Sequence, residues 1–239
     1  ACSYNKIPFA HMHGGEKSGT FDETVRHTIT KLSDFHFPST KLSFNRILKL
    51  GEIKKNIFLT GSPAVEYIKK NKFYNNIELF KKLKIKLITD YVVFLYNPDN
   101  TRKLKNKNDV KIIISKLLEY NFKIIIIYPN NDPYSKDIIK YYNSIKSKYK
   151  NKIIIMKNLP FQYFLSLLNY SKFLIGNSSG GVIETPTIGI PNLLIGSRQI
   201  GRELSSNTLL STINSSRIKY IINKSIYDKK FLKLCNQKK

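Results

Sequence analysis

Short apolar strands alternate with helical segments along most of the chain, and this alternation constrains the fold more than any other feature. The run KIIIIYP (123–129) is typical of a strand, SKDIIKYYNSIKSKY of a helix, and KIIIMK of the next strand. Strands separated by helices of this length predict a mostly parallel sheet with helices on both faces. The fold class that we predict is therefore α/β.

Polar loops follow the predicted strands. IPFAHMH (7–13) runs into HGGE, NIFLTGSP (56–63) ends in TGSP, and later strands run into YNPDN, YPNNDP and IGNSSGG. Ligands of parallel sheets bind at the carboxyl ends of the strands. We therefore expect the functional side chains in these loops.

The domain organisation is inferred from a change in pattern. Residues 69–88 are rich in lysine and asparagine and weakly patterned, so we interpret them as a linker. The predicted divisions are a first domain over 1–80, a second domain over 81–225, and a C-terminal tail or helix over 226–239.

The formal net charge is +25, from 41 lysines and arginines against 16 carboxylates. Base readout and bidentate phosphate binding favour arginine, yet nearly all the positive charge here is lysine. The lysines are spread through the chain instead of forming one block, which indicates a compositional bias. We predict no nucleic-acid partner, although the positive field would attract an anionic small molecule. The arginines are Arg26, Arg46, Arg102, Arg198, Arg202 and Arg217.

Membrane insertion and export are not indicated by the sequence. No apolar run reaches the ~18–20 residues of a membrane span, and the N-terminus lacks a signal-peptide pattern. Cys2 and Cys235 lie at opposite ends of the chain without metal-ligand spacing. We predict a cytoplasmic protein with no membrane partner, no metal and no cofactor.

The segment Asn177–Gly181 follows a predicted strand and precedes a helix. The first N–H groups of a helix lack partners and carry partial positive charge, so they can hold a diphosphate that glycines let approach closely. Ser178 and Ser179 would add hydroxyl donors, and Glu184, placed in the first helical turn, could reach a ribose diol. The alternative is a serine N-cap with a helix-start glutamate. Arg198, which leaves the next strand, favours the phosphate interpretation.

Acidic and basic side chains cluster between residues 11 and 27. Glu16, Asp22, Glu23 and Arg26 could supply the acid, base and charge that abstraction of a C–H proton and release of a leaving group need. The alternatives are structural: the stretch 20–23 fits a capping box that starts at Thr20, and Asp22–Arg26 fits a surface pair. His11 and His13 could bind a metal, but a structural role is the favoured interpretation.

Four separated motifs resemble the UDP-N-acetylglucosamine 2-epimerase family, especially its hydrolysing branch that feeds sialic-acid-type sugars. They are HxHGGE at 11–16, the run DExxRHxITKLS at 22–33, GSP at 61–63, and GNSSGGVIE with GSRQIGRE at 176–203. They occur in the order that the family has, and they cover most of the chain.

The resemblance implies a GT-B-like architecture, in which two Rossmann-like domains with parallel sheets hold the site in the cleft between them. It implies elimination of UDP and hydration of the glycal to N-acetylmannosamine. Glu16, Asp22, Glu23 and Arg26 then look catalytic. The nucleotide contacts would be Ser178, Ser179, Gly180 and Glu184, with Arg198 and Asn97 beside them. The expected partners are a UDP-sugar and further copies of the chain, as a dimer or tetramer.

Two departures from the family pattern affect this expectation. From the resemblance we expect residue 1 to fall in the middle of the N-terminal domain, with this domain only partly present in the chain and no counterpart of a catalytic aspartate. Asn97 aligns with a family histidine, and an amide cannot act as an acid near neutral pH. The alternatives are a non-catalytic nucleotide-sugar-binding fragment, an epimerase for a UDP-diacetamido sugar of the legionaminic acid pathway, a GT-B glycosyltransferase and a nucleic-acid binder.

Overall fold

A computed structural model of the chain describes residues 2–19, 21–102 and 105–236. The chain forms two compact units. Unit 1 comprises Ala1–Lys70 with Gln199–Arg202, and unit 2 comprises Asn71–Arg198 with Glu203–Lys239. The change from one unit to the other thus falls ahead of the boundary that the sequence placed at residue 80.

Unit 1 contains a short parallel strand pair and three α-helices among its described residues. The strands pair in parallel with Ala10 opposite Phe35 and Met12 opposite Phe37. The strands are β1 (Ala10–Met12) and β2 (Phe35–Phe37), and the helices are α1 (Asp22–Leu32), α2 (Lys41–Lys49) and α3 (Pro63–Lys70).

The strand predicted over 56–63 is wrong. Ile57 makes one isolated parallel bridge to His36, after a 3-10 turn over Lys54–Asn56. Gly61 then takes a positive φ of 81° and Pro63 begins α3. Proline at the first helical position and glycine with a positive φ both interrupt a strand, so the apolar run ends in a turn.

Unit 2 is built on a six-stranded, fully parallel sheet in the order β5-β4-β3-β6-β7-β8. The strands are β3 (Tyr91–Leu95), β4 (Lys123–Ile127), β5 (Ile153–Met156), β6 (Leu174–Gly176), β7 (Asn192–Ile195) and β8 (Thr208–Ser211). The helices are α4 (Asn76–Lys82), α5 (Asn106–Leu117), α6 (Ser135–Lys146), α7 (Phe161–Tyr170), α8 (Gly180–Ile188), α9 (Ser215–Tyr227) and α10 (Lys229–Asn236).

The core of unit 2 explains why its strands read as continuous apolar runs. Ile124, Ile125 and Ile126 are all 0% exposed, so both faces of β4 are covered. Alternation between apolar and polar residues is lost when helices cover both faces of a sheet. Counted from its own first strand, the sheet has the order 3-2-1-4-5-6, which is the Rossmann order.

The interpretation of 69–88 as a linker is wrong for its middle part. Asn75 and Glu78 form a reciprocal capping box that starts α4. Leu79 and Phe80 on this helix are buried, and the ring of Phe80 packs edge-on against Tyr91 of β3, with 5.7 Å between the ring centroids. The segment is therefore part of the core of unit 2.

The C-terminal segment completes the same unit. Sequence patterns predict no element between 203 and 225, where the structure has β8 and most of α9. Asn214 caps α9 by accepting the N–H of Arg217. The predicted tail or helix after 226 is largely α10, which buries Phe231 and Cys235.

Within the described residues, no helix combines the length and the apolar character that a membrane crossing requires.

We expect Phe80→Ala to lower the free energy of unfolding by about 3 kcal/mol, because the truncation leaves a cavity beside Tyr91. Urea unfolding followed by circular dichroism measures the change. The control is Ile77→Ala on the same helix, where Ile77 is 69% exposed and the expected change is below about 0.5 kcal/mol. Equal effects of the two substitutions would contradict the assignment of α4 to the core.

Candidate active site

The loop after β1 forms a tight turn that aims Glu16 at the carboxyl end of the unit 1 strands. Gly15 has a φ of 76°, and a Cβ at this position would lie 2.3 Å from the Ser43 carbonyl oxygen. Glycine is therefore required there. Arg46 donates to the Gly15 carbonyl at 3.1 Å and Arg26 donates to the Glu16 carbonyl at 3.0 Å, so two guanidinium groups hold the turn.

The carboxylate of Glu16 has three side-chain partners. Its Oε1 atom accepts from the Ser39 hydroxyl at 2.9 Å and lies 2.9 Å from His13 Nδ1. Its Oε2 atom lies 2.8 Å from Arg202 Nη1, and Glu16 and Arg202 are 13% and 11% exposed. Ser39 follows β2, so the ends of both paired strands supply groups to one carboxylate.

Burial by itself raises the pKa of Glu16, but this effect is outweighed. The hydrogen bond with His13, the charge of Arg202 and the Ser39 hydroxyl together lower the pKa to about 2. Glu16 is therefore a permanent anion at neutral pH. The carboxylate is suited to orienting and stabilising positive charge, and it is a weak proton acceptor.

The other predicted catalytic residues of unit 1 take different positions. Glu23 accepts the N–H of Ser18 at 2.8 Å and so ties the loop to the start of α1. Asp22 is the exposed first residue of that helix. The capping-box alternative started at Thr20, which lies outside the described residues. The helix has Phe21 as its N-cap residue, without a side-chain cap.

The histidines make specific contacts. His11 Nδ1 lies 3.0 Å from the Thr30 hydroxyl, and burial lowers the pKa of His11. The carboxylates of Glu23 and Glu52 lie near His27 and His36, respectively. In the described part of the chain, no three histidine, cysteine or acidic side chains are grouped so that they could hold a metal ion.

In unit 2, two asparagines join the ends of β3 and β6, where the strand order reverses. The Asn97 N–H donates to Asn177 Oδ1 at 2.7 Å, and Asn177 Nδ2 donates to the Asn97 carbonyl at 2.8 Å. Asn97 Oδ1 also accepts the N–H of Asn130 from the loop after β4, at 2.9 Å. Asn97 thus fixes three loops at the crevice where such sheets bind ligands.

The predicted anion loop leads into α8, which begins at Gly180. Ser178 Oγ accepts the Gly180 N–H at 3.2 Å, whereas the side chain of the N-cap residue Ser179 makes no capping hydrogen bond. The serine that stabilises the start of α8 is therefore Ser178. The expectation that Glu184 lies in the first turn is wrong: it is the fifth residue of α8, buried, with Oε2 3.2 Å from a Cβ built on Gly180.

The next loops add buried charge. Arg198, 8% exposed, follows β7 and lies 3.2 Å from the Asp132 carboxylate in the loop after β4. Ser197 donates to Asp99 Oδ2 at 3.0 Å. The structure therefore pairs Arg198 with a carboxylate that the sequence reading did not single out.

A cavity of about 610 Å³ opens at the carboxyl ends of β3, β4 and β5. Asn97 and Pro129 line it together with the rings of Phe161 and Phe164 from α7. The Phe164 ring also lies 3.5 Å from a Cβ built on Gly180, so the cavity adjoins the start of α8. A cavity with both aromatic and polar walls, next to the positive end of a helix, fits a flat ring that is joined to an anion.

Several residues of these two sites were missed. Ser39 follows β2, and the strand-end rule could have found it, whereas Ser62 lies in the TGSP loop that the rule does mark. Asp132 lies in the YPNNDP loop and Arg202 in the GSRQIGRE motif, but local pattern does not single out either residue, because each meets its partner across a long stretch of sequence.

The amino-acid sequence is similar to those of known nucleotide-sugar epimerases. The model of the family described as UDP-N-acetylglucosamine 2-epimerase matches residues 1–239. The GDP/UDP-N,N'-diacetylbacillosamine 2-epimerase (hydrolyzing) of Campylobacter jejuni is 34% identical over 215 residues, covering 89% of this chain and 56% of that protein. Polysialic acid biosynthesis protein P7 of Escherichia coli is 32% identical, covering 97% and 59%. The chain thus spans little more than half the length of these relatives.

Solved structures give the same fold. The Neisseria meningitidis UDP-GlcNAc 2-epimerase bound to UDP-GlcNAc matches with a TM-score of 0.76 at 17% identity, over 98% of this chain and 66% of that one. The Staphylococcus aureus MnaA–UDP structure matches with a TM-score of 0.75 at 17% identity, over 99% and 64%. The predicted GT-B-like α/β fold with parallel sheets is confirmed.

We expect Glu16→Gln to lower stability by about 2 kcal/mol at pH 7, because an ionised carboxylate with a depressed pKa stabilises the folded state. Since the folded pKa of about 2 lies below the ordinary glutamate value of 4.5, this contribution is complete above the unfolded pKa and is lost as the pH falls towards 2. Urea titrations of both proteins between pH 7 and pH 3 measure the difference.

The control is Glu66→Gln on α3, where the exposed carboxylate pairs with Lys70. This substitution should change stability little at any pH. A Glu16→Gln effect of constant size from pH 7 to pH 3 would show that lost packing, and not charge, causes it.

Proposed function

This chain belongs to the UDP-N-acetylglucosamine 2-epimerase family, and we propose that it contributes a hydrolysing 2-epimerase activity. In this reaction UDP leaves the sugar, water adds to the resulting glycal, and the products are N-acetylmannosamine and UDP. The observation that carries the proposal is the ionised Glu16 in a network of His13, Ser39 and Arg202. A protein that only binds a nucleotide through unit 2 would not need an ionised carboxylate network in unit 1.

We assign the nucleotide to unit 2. The rings of Phe161 and Phe164 suit the uracil, and the positive end of α8, with Ser178, Ser179 and Gly180, suits the diphosphate. Glu184, buried one turn further on, is assigned to the ribose hydroxyls. Arg198, buried after the end of β7, is assigned to the phosphates as a source of positive charge.

We assign the acid–base chemistry to unit 1. Elimination needs a base for the proton at C2 and stabilisation of the charge that develops as the bond to the diphosphate breaks. Glu16 supplies a fixed negative charge, while Asp22 and Glu23 at the start of α1 supply further carboxylates. Arg26 holds the Glu16 backbone in place.

Asn97 takes a structural part in this proposal. Its side-chain oxygen accepts the Asn130 N–H, and its backbone pairs with Asn177. An amide with these contacts positions the loops around the phosphates and transfers no proton.

The sugar has two candidates. The similarity to the diacetylbacillosamine 2-epimerases of Campylobacter jejuni and Legionella pneumophila, at 34% and 32% identity, favours a UDP-diacetamido sugar as the alternative substrate. A sialic-acid-type product is favoured by the similarity to the polysialic acid biosynthesis protein. The same diphosphate and carboxylate groups would serve either sugar.

We also propose that the protein forms homo-oligomers. The large apolar residues of α1 and the position before it lie on one exposed face. Phe21 is 69% exposed and Leu32 is 54% exposed, with Val25 and Ile29 between them at 41% and 38%. An apolar helical stripe of this kind is covered in most soluble proteins.

Activity is tested by a proton NMR time course of UDP-N-acetylglucosamine with the purified chain, with the UDP-diacetamido sugar in parallel. We expect free UDP and the 2-epimerised free sugar to appear together. Folded protein that binds UDP but leaves both substrates intact would instead support the nucleotide-sugar-binding alternative.

Nucleotide binding is tested by Ser179→Asp, which places a carboxylate at the proposed diphosphate position. We expect the Kd for UDP to rise at least about tenfold, because like charges repel in a partly buried site. The matched control is Ser215→Asp at the first position of α9, which should leave the Kd unchanged. Isothermal titration calorimetry measures both constants, and equal affinities would exclude the start of α8 as the phosphate site.

A further inference from the structure

Glu16, His13 and Ser62 lie in one line of contacts in unit 1. Glu16 Oε1 lies 2.9 Å from His13 Nδ1, and His13 Nε2 lies 3.5 Å from the Ser62 hydroxyl. Arg202 contacts the other carboxylate oxygen, Oε2, and Ser39 donates to the same Oε1 atom that faces His13. The imidazole therefore has a carboxylate on one nitrogen and a hydroxyl near the other.

These contacts determine which imidazole nitrogen carries the proton. An ionised carboxylate only accepts hydrogen bonds, so the Nδ1 atom that faces Glu16 must donate. In neutral His13 the Nε2 atom then has a free lone pair. We propose that His13 is the proton-transfer residue of this site, and that Glu16, fixed by Arg202 and Ser39, is the carboxylate that orients it.

The backbone and the exposure of His13 support this assignment. His13 has a φ of 59°, a left-handed conformation that costs energy for a residue with a side chain. Its side chain is 30% exposed, so a ligand can approach the ring. His36, by contrast, is 1% exposed and lies on β2, where it suits a structural role.

The surrounding charges are compatible with a proton carrier. The Glu16 carboxylate contacts the His13 ring. Arg26 and Arg46 are directed to backbone carbonyls of the loop, and Arg202 is directed to Glu16. His11 bonds to Thr30. A carboxylate on one side and a polar opening on the other is the arrangement by which proteins orient catalytic histidines.

This inference rests on the proposed 2-epimerase function, for which the proton balance is as follows. His13 Nε2 takes the C2 proton as the bond from C1 to the diphosphate oxygen breaks, and the electron pair of the C–H bond forms the C1–C2 double bond. UDP departs with the electron pair of the C1–O bond. The glycal then turns its opposite face towards His13, protonated His13 returns the proton to C2 on that face, and water adds its hydroxyl to C1 while its remaining proton goes to solvent.

The first test does not depend on turnover. Long-range ¹H–¹⁵N correlation spectra of the full chain distinguish the two imidazole tautomers, and His13→Gln identifies the His13 signals. At a pH where His13 is neutral, we expect the proton on Nδ1 and none on Nε2. A spectrum with the proton on Nε2 would overturn the assignment, whether or not the chain is active.

The second test uses steady-state kinetics with the UDP-sugar that the wild type turns over. His13→Gln should lower kcat by at least about 100-fold while KM changes little, since general acid–base catalysis contributes about 10²- to 10⁴-fold. The control is His27→Gln on α1, which should retain kcat within about twofold. If His13→Gln retains wild-type kcat, the inference is wrong and the proposed function stands.

Absence of turnover in folded wild-type protein would count against the proposed function, and the tautomer of His13 would then decide the inference alone.

A third test, Arg202→Gln, asks whether Arg202 positions Glu16 so that Glu16 orients the His13 ring. We expect it to weaken the preference for the Nδ1 proton in the NMR spectra, whereas Arg217→Gln on α9 should leave these spectra unchanged. An unaltered tautomer in Arg202→Gln would show that Arg202 does not position Glu16 for His13.

Discussion

The exchange of hydrogen bonds between Asn97 and Asn177 is the interaction on which the candidate ligand site of unit 2 depends. It closes β3 onto β6 at the point where the strand order reverses. The same junction excludes a side chain at Gly176, where a Cβ would lie 1.9 Å from the Leu95 carbonyl oxygen. With the strands at this separation, the loops after β3, β4 and β6 meet at one edge, and α8 can start beside them.

Unit 1 reaches a similar convergence with much less sheet. Two three-residue strands and one isolated bridge bring the loops after β1, β2 and Ile57 together. A parallel pair this short has few hydrogen bonds of its own, so the loops are held by side chains instead. The guanidinium groups of Arg26 and Arg46 bind backbone carbonyls, and Glu16 receives three polar groups.

Periodicity and strand-end rules were sufficient for much of the fold, because strands such as β4 and helices such as α1 are specified by their own residues. They failed where tertiary contacts decide. The helix α4 lies in a lysine- and asparagine-rich segment with the composition of a linker. The burial of Leu79 and Phe80 shows that it belongs to the core of unit 2. Likewise, the Arg202–Glu16 pair joins residues far apart in the chain, so local patterns predicted the carboxylate but not its partner. The predicted roles of Asp22, Glu23 and Glu184 remain predictions.

Four of the arginines bind groups at the strand-end loops, whereas the ion pairs of the lysines lie mostly on the surface. Arg26, Arg46, Arg198 and Arg202 all bind acceptors in loops at the carboxyl ends of strands. The lysines, which carry most of the formal charge of +25, lie mainly on exposed positions. Arginine presents several donors in a fixed plane and stays charged when it is buried. The lysine ammonium group is strongly hydrated, so lysine is suited to positions that face solvent. The net charge of this chain therefore says little about its partners, while the few positions that use arginine mark the places where geometry is demanding.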